Sequence, residues 1–130
     1  MNTIAEESVS VVIPVYNDLP ALQEAIPLTL QTLESLVSTF EIIIAEDAST
    51  DGSTEFAASW QMRDPRIRHL HRDERLGRGS ALSLAARMAH GEIFCYFDVD
   101  MATDISHLEE LLGRITEGYD LATGSRLLPE

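Results

Sequence analysis

Lysine is absent from this chain of 130 residues, so all nine of its basic residues are arginine. That absence removes chemistry built on an amine: the P-loop lysine, Schiff-base formation and the receiver-domain phosphorylation switch as usually built. Cysteine is nearly absent too. The one thiol, Cys95, cannot form an internal disulfide, and its place in an apolar run reads as a small buried hydrophobe. Long apolar runs are missing; the longest, residues 11–13 and 93–97, are far too short to span a bilayer. The N-terminus has neither a basic start nor an apolar segment, which predicts no secretory signal and a cytoplasmic location. Basic charge is scarce, with nine basic residues against 22 acidic ones and a net charge of −13, so a nonspecific grip on nucleic acid is excluded. What remains is 45% hydrophobic and 24% charged, the composition of a folded globular chain with one core, and residues 1–130 read as one domain.

Strand and helix patterns alternate along that domain. Residues 9–15 are β-branched and apolar and stop at Tyr16-Asn17-Asp18, which predicts a buried strand and a turn. Leu19, Leu22, Ile26, Leu30, Leu33 and Val37 recur at helical spacing, with Asp18 as N-cap, Pro20 in the first turn and a kink expected at Pro27. A second strand is expected over residues 41–45, and a polar loop over 47–53 in which Asp51 and Ser53 are turn and cap residues. A second helix over about 53–61 and a weaker strand over 66–70 follow. Residues 73–79 form a charged loop, and Ser80 is expected to cap a helix that turns Leu82, Ala85, Ala86 and Ala89 inward and stops at Gly91. Residues 93–97 make the strongest strand; a helix marked by Ile105, Leu108, Leu111, Leu112 and Ile115 and a fifth strand over 119–123 complete the series. Such alternation predicts an α/β fold, a Rossmann-like parallel sheet with helices on both faces. Ligands of such sheets bind beyond the carboxyl ends of the strands, which here carry Tyr16-Asn17-Asp18, Glu46-Asp47, the arginines of residues 72–78, Asp98-Val99-Asp100 and Gly124-Ser125-Arg126.

Asp98 and Asp100 are one residue apart, so on extended backbone both carboxylates face one side. Two hard oxygen donors suit Mg²⁺ or Mn²⁺ completed by water and substrate phosphates. A lone Asp-x-Asp is more often a pair of solvated acids, but this pair ends the most apolar strand of the chain, where uncompensated charge invites a cation. Asp47 can accept a hydrogen bond from a nucleobase or a ribose, or simply cap its loop. Arg72, Arg75 and Arg78, with Gly77 and Gly79, offer charge and close backbone approach to a phosphate; local balance with Asp73 and Glu74 is the alternative. Gly77-Arg78-Gly79 is not a dinucleotide fingerprint, because Leu82 occupies the third glycine position. Arg126 is either a donor contact or a surface arginine. His69, His71, His90 and His107 show no metal-ligand spacing, and Trp60 reads as helix packing.

On these strings the chain resembles the inverting family 2 glycosyltransferases of the GT-A fold. The resemblance runs through Val11-Val12-Ile13-Pro14-Val15-Tyr16-Asn17-Asp18, then Ile42-Ile43-Ile44-Ala45-Glu46-Asp47-Ala48-Ser49-Thr50-Asp51-Gly52-Ser53. It continues through Leu76-Gly77-Arg78-Gly79-Ser80-Ala81-Leu82 and His90-Gly91-Glu92 to Phe97-Asp98-Val99-Asp100. Asp100-Met101-Ala102-Thr103 and Tyr119-Asp120-Leu121-Ala122-Thr123-Gly124-Ser125-Arg126 are most similar to the polyprenyl-phosphate hexose synthases, the dolichyl-phosphate glucose and mannose synthases among them. The resemblance implies that Pro14, Tyr16 and Asp18 line the nucleotide and Asp47 contacts the base. Asp98 and Asp100 would then serve nucleotide and metal, and Arg126 the donor, with Arg78 a nucleotide-sugar contact on the phosphate reading above. Ala48 stands where the family has glycine, and Glu46 where it has the first aspartate of a pair.

The resemblance further implies a UDP- or GDP-hexose donor, a lipid phosphate acceptor, and membrane segments or a place at the cytoplasmic face of a membrane for a longer protein. A saccharide acceptor and a noncatalytic nucleotide-binding module are the alternatives; a nucleotidyltransferase would need a glycine-rich basic signature where residues 14–18 stand. The matched strings cover the donor side of the family's domain, so weak transfer by this chain alone is expected, together with self-association through a sheet edge after the fifth strand.

Overall fold

The structure, a computed structural model, describes residues 8–96 and residue 99. The helix and fifth strand expected beyond residue 104 lie outside the described residues. Seven elements follow in the expected order: β1 (Ser8–Val15), α1 (Leu19–Leu36), β2 (Thr39–Asp47), α2 (Ser53–Arg63), β3 (Ile67–Arg72), α3 (Arg78–Met88) and β4 (Ile93–Tyr96). The four strands form one parallel sheet in the order β3-β2-β1-β4. The chain thus builds outward from β1 to β3 and then returns to the other side of β1. That reversal creates a crevice at the carboxyl ends of the central strands, the place where open α/β sheets bind ligands.

Strand alternation divides the core between two faces. Val9, Val11, Ile13 and Val15 of β1 and Phe40, Ile42 and Ile44 of β2 pack with Leu22, Ala25, Ile26, Leu30 and Leu33 of α1 and Ala57 of α2. Val12, Ile43 and Ala45 turn the other way and meet Ala81 and Ala85 of α3. Each large aliphatic side chain so buried contributes roughly 1.5–3 kcal/mol. Cys95 is buried in the first cluster, and burial alone pushes its thiol up to about 12, so it is an inert core residue as expected. Trp60 packs against the same cluster.

Helix α1 runs on through Pro27 rather than ending there, with Pro27 and Gln23, whose carbonyl it leaves without a helical donor, both on the exposed face. Other local expectations are corrected. Ala86 is exposed, and it is Ala81 that turns inward beside Ala85. Ser80 does not cap α3, which starts at Arg78 after Gly77, a residue with φ +104° and ψ 158° that side chains rarely adopt. Gly91 does not end that helix; α3 stops at Met88. Gly91 instead lies against β1, its amide donating to Ser10 Oγ at 2.8 Å. Among the described residues no helix is long and apolar enough to cross a membrane.

The close approach at Gly91 gives a direct test of the packing. A Cβ there would meet Ser10 N at 2.6 Å and the carbonyl carbon of Val9 at 2.7 Å, both backbone atoms of a strand that cannot recede. Gly91→Ala is expected to lower stability by about 1–3 kcal/mol in urea denaturation; unchanged stability would show that β1 and residue 91 are not in contact.

Candidate functional site

Three loops meet at the carboxyl edge of the sheet, and side-chain hydrogen bonds tie them together. Asn17, at φ 49°, follows β1, and Ala48, at φ 56°, follows β2; both stand in the left-handed region. The two turns are stitched to each other: the Asn17 amide donates to Ser49 Oγ at 3.0 Å, and the Thr50 amide donates to Asn17 Oδ1 at 2.7 Å. Asp18 stands at the N-cap position of α1 but its side chain makes no capping bond. Asp51 takes that role from the neighbouring loop, its Oδ2 accepting from the Leu19 amide at 3.0 Å while Oδ1 accepts from Ser53 N at 3.0 Å and Ser53 Oγ at 2.7 Å. One carboxylate therefore caps the starts of two helices, and Ser53, expected as a cap, is the first residue of α2.

Asp47 is the hinge of the third loop. Its side chain is 7% exposed; Oδ1 accepts from Arg72 Nε at 2.9 Å, and Oδ2 accepts from the Leu76 and Gly77 amides at 3.0 and 2.9 Å. Arg72 spreads its remaining donors over Ser80 Oγ at 2.7 Å and the Gly77 carbonyl at 3.1 Å. Arg72 is thus a structural brace, and the loop it braces carries Arg75 and Arg78 toward a cleft of about 180 Å³. Pro14, Tyr16, Asp47 and Arg78 all line this cleft, beside Arg75 and Ala81. Both arginines rest on aromatic rings: the Arg75 guanidinium lies 3.9 Å from the centroid of Tyr16, and that of Arg78 lies 5.4 Å from the centroid of Tyr96. The structure brings four of the expected site residues together; Asp18 is on the adjoining turn, outside the lining, and Asp98, Asp100 and Arg126 lie outside the described residues. An ionised carboxylate has about four acceptor sites, so Asp47 keeps room for one more donor beside its intramolecular partners.

On the opposite face of the sheet, Glu46 gathers a second polar cluster that the sequence reading missed. Its carboxylate is fully buried and accepts from the Ser49 amide at 2.6 Å, with His71 Nδ1 at 2.6 Å and His69 Nε2 at 3.0 Å around Oε1. Burial pushes the Glu46 carboxyl upward, but the Ser49 amide and the two rings outweigh it and hold the group below its ordinary range. His71 is raised, first by Glu46 and also by Asp73, whose Oδ1 sits 3.0 Å from the other ring nitrogen. The sequence reading found no metal-ligand spacing for these histidines, but spacing along one strand says nothing of a carboxylate on its neighbour, and Glu46, His69 and His71 converge. The pairing of Glu46 with His71 across β2 and β3 could have been found only from the sheet register.

Known proteins agree with this architecture. The sequence profile described as Glycosyl transferase family 2 matches residues 10–129. The chain is 47% identical to glycosyltransferase AglD of Haloferax volcanii, over 98% of this chain and 21% of that protein. It is 34% identical to an undecaprenyl-phosphate mannosyltransferase of Micrococcus luteus, over 91% of this chain and 48% of that protein. Among solved structures, mannosyltransferase PcManGT from Pyrobaculum calidifontis, in complex with GDP-Man and Mn²⁺, superposes with a TM-score of 0.60 at 29% identity, covering 71% of this chain and 27% of that one. The chain therefore spans about a fifth to a half of the length of these curated relatives.

Two substitutions probe the loop edge. Asp47→Ala leaves a guanidinium and two amides without their acceptor, and unfolding in urea is expected to show a loss of about 3–5 kcal/mol; a change under about 1 kcal/mol would mean the brace is dispensable. Ala48→Gly removes the left-handed penalty at φ 56°, partly offset by unfolded-state entropy, and is expected to raise stability by about 0.5–1 kcal/mol in the same assay. A drop would show that Ala48 fits its turn without strain.

Proposed function

The chain belongs to glycosyl transferase family 2 and carries its GT-A fold, and from that premise we propose that it binds a nucleotide-sugar donor, a UDP- or GDP-hexose, for inverting transfer to a polyprenyl phosphate. The observation that carries this reading is the cleft at the end of β1 and β2, where Tyr16 offers a ring, Asp47 an acceptor, and Arg75 and Arg78 positive charge in a chain of net charge −13. Tyr16 and Pro14 would flank the base, and the free acceptor site of Asp47 would take an N–H from it. Arg78, at the start of α3 and beside its N-terminal amides, would meet the diphosphate. A cleft of about 180 Å³ is smaller than the roughly 300–1,000 Å³ of small-molecule sites. In this reading Asp98, Asp100 and Arg126 furnish the remainder.

The donor set Asp98 and Asp100 fits a hard divalent cation, Mg²⁺ or Mn²⁺. When bound, such an ion offsets the charge of the diphosphate that departs. In the transfer itself a phosphate oxygen of the acceptor bonds to the anomeric carbon, and the carbon–oxygen bond to the nucleoside diphosphate breaks with its electron pair. A lipid phosphate is already ionised at neutral pH, so the attacking oxygen needs no strong base. Similarity to the undecaprenyl-phosphate mannosyltransferase supports a polyprenyl phosphate as acceptor.

Calorimetric titration with UDP and GDP tests the donor site. Mn²⁺ is expected to strengthen binding of one of them at least tenfold, about 1.4 kcal/mol, and Asp100→Ala to abolish that gain. Equal affinity in Mn²⁺ and in chelator would overturn the assignment of Asp98 and Asp100.

A further inference from the structure

The cluster around Glu46 has the composition and the surroundings of a metal site, and nothing in the donor site uses it. We propose that Glu46, His69 and His71 form a second divalent-cation site, selective for a borderline-soft ion such as Zn²⁺ and separated by the sheet from the nucleotide cleft.

The ligands stand on rigid elements. Residue 46 pairs with residue 71 and residue 44 with residue 69, so strand alternation puts Glu46, His69 and His71 on one face, whereas Asp47 and the cleft belong to the other. The His69 amide is further tied to Gln61 Oε1 of α2 at 2.7 Å. One ligand atom from each of the three side chains lies within 4.8 Å of the others. With bonds of about 2.0–2.1 Å a tetrahedral ion spaces its donors about 3.3 Å apart. The present separations from Glu46 Oε1, 2.6 Å to His71 Nδ1 and 3.0 Å to His69 Nε2, therefore need to widen by less than about 1 Å. Glu46 Oε2 is held by the Ser49 amide, which leaves Oε1 for the ion.

The outer contacts are those of a ligating histidine as well. His71 turns Nδ1 to the centre while Nε2 meets Asp73 Oδ1 at 3.0 Å, the carboxylate–imidazole pairing that orients metal-bound rings and raises their basicity. The Glu46 and His69 side chains are buried, while the His71 side chain is 36% exposed and Asp73 95% exposed, so the cluster reaches solvent on the His71 side, from which an ion and a water as fourth ligand would enter. Two imidazoles and one carboxylate favour Zn²⁺ over the hard ions that suit Asp98 and Asp100. On coordination the ring nitrogens present lone pairs, and any proton carried on them passes to solvent. The bound ion would join the ends of β2 and β3 and, through Ser49, the turn that holds Asn17.

The test separates the two cation sites. The chelator-stripped chain carrying Asp98→Asn and Asp100→Asn is titrated with Zn²⁺ by calorimetry and with Co²⁺ by visible absorption. One equivalent of Zn²⁺ and a Co²⁺ absorption band are expected, with a rise in thermal midpoint on adding Zn²⁺. His71→Ala, at a partly exposed position that leaves the core intact, is expected to weaken Zn²⁺ binding at least tenfold and to remove the rise; His69→Gln should do the same. No binding by the chain, or equal affinity in the folded His71→Ala and His69→Gln variants, would overturn the site and leave the cluster a hydrogen-bond network. Loss of the Mn²⁺ effect on nucleotide binding would touch only the donor-site reading.

Discussion

Two consecutive carboxylates at the end of β2 point to opposite faces of the sheet, and the carboxyl edge of the molecule is organised around that alternation. Asp47 faces α3 and fixes the loop that precedes it; Glu46 faces α2 and fixes the turn that follows it. Both are buried, and each would be costly without partners. Their neighbours are therefore dictated: amides of the adjacent turns, and the Arg and His side chains of β3. The strand adjoining β2 alternates accordingly, sending Arg72 to Asp47 and His69 and His71 to Glu46. A single-residue slip between β2 and β3 would leave both acids facing the wrong partners, so the polar end of the sheet fixes the register as firmly as the apolar middle does.

The lack of lysine acquires a structural meaning here. Arg72 reaches a carboxylate, a hydroxyl and a carbonyl at once, and Arg68 bonds Glu41 and the Met88 carbonyl at 2.8 Å each. A planar fork can hold several acceptors in fixed directions; an ammonium on a flexible stem holds them less definitely. In a chain this acidic, Arg68 and Arg72 are placed where one side chain joins several segments. Glu41 does the converse at the amino end of the sheet, accepting from Ser10 Oγ, the His90 amide and Arg68. Burial there pushes its carboxyl up, but those donors prevail and keep it below the ordinary range.

The order of elements, the parallel sheet and the strand-end position of the cleft were legible in the sequence, because period-two and period-3.6 apolar patterns report burial directly. Tyr16, Asp47 and Arg78 were legible because they stand at or just beyond strand ends, whereas Pro14, inside β1, was reached only through the resemblance to the family. Capping was not. Asp51 serves Leu19 as well as Ser53, a contact across 32 residues that local preference cannot show. Gly91 had the look of a helix stop, yet its small size answers to the backbone of β1. The histidines looked idle because the strand pairing that unites them with Glu46 is a property of the sheet rather than of the string.

The guanidinium of Arg75 already covers one face of Tyr16. Any flat ring that comes to lie on that face must first displace it, so recognition on that side is an exchange of one stacked partner for another. What the newcomer gains is the difference between two such contacts, smaller by the roughly 0.5–1 kcal/mol that an exposed cation–π pair holds. The displaced charge does not leave with its seat: on a short loop anchored by Asp47 it stays within reach of whatever anion the ring brings along.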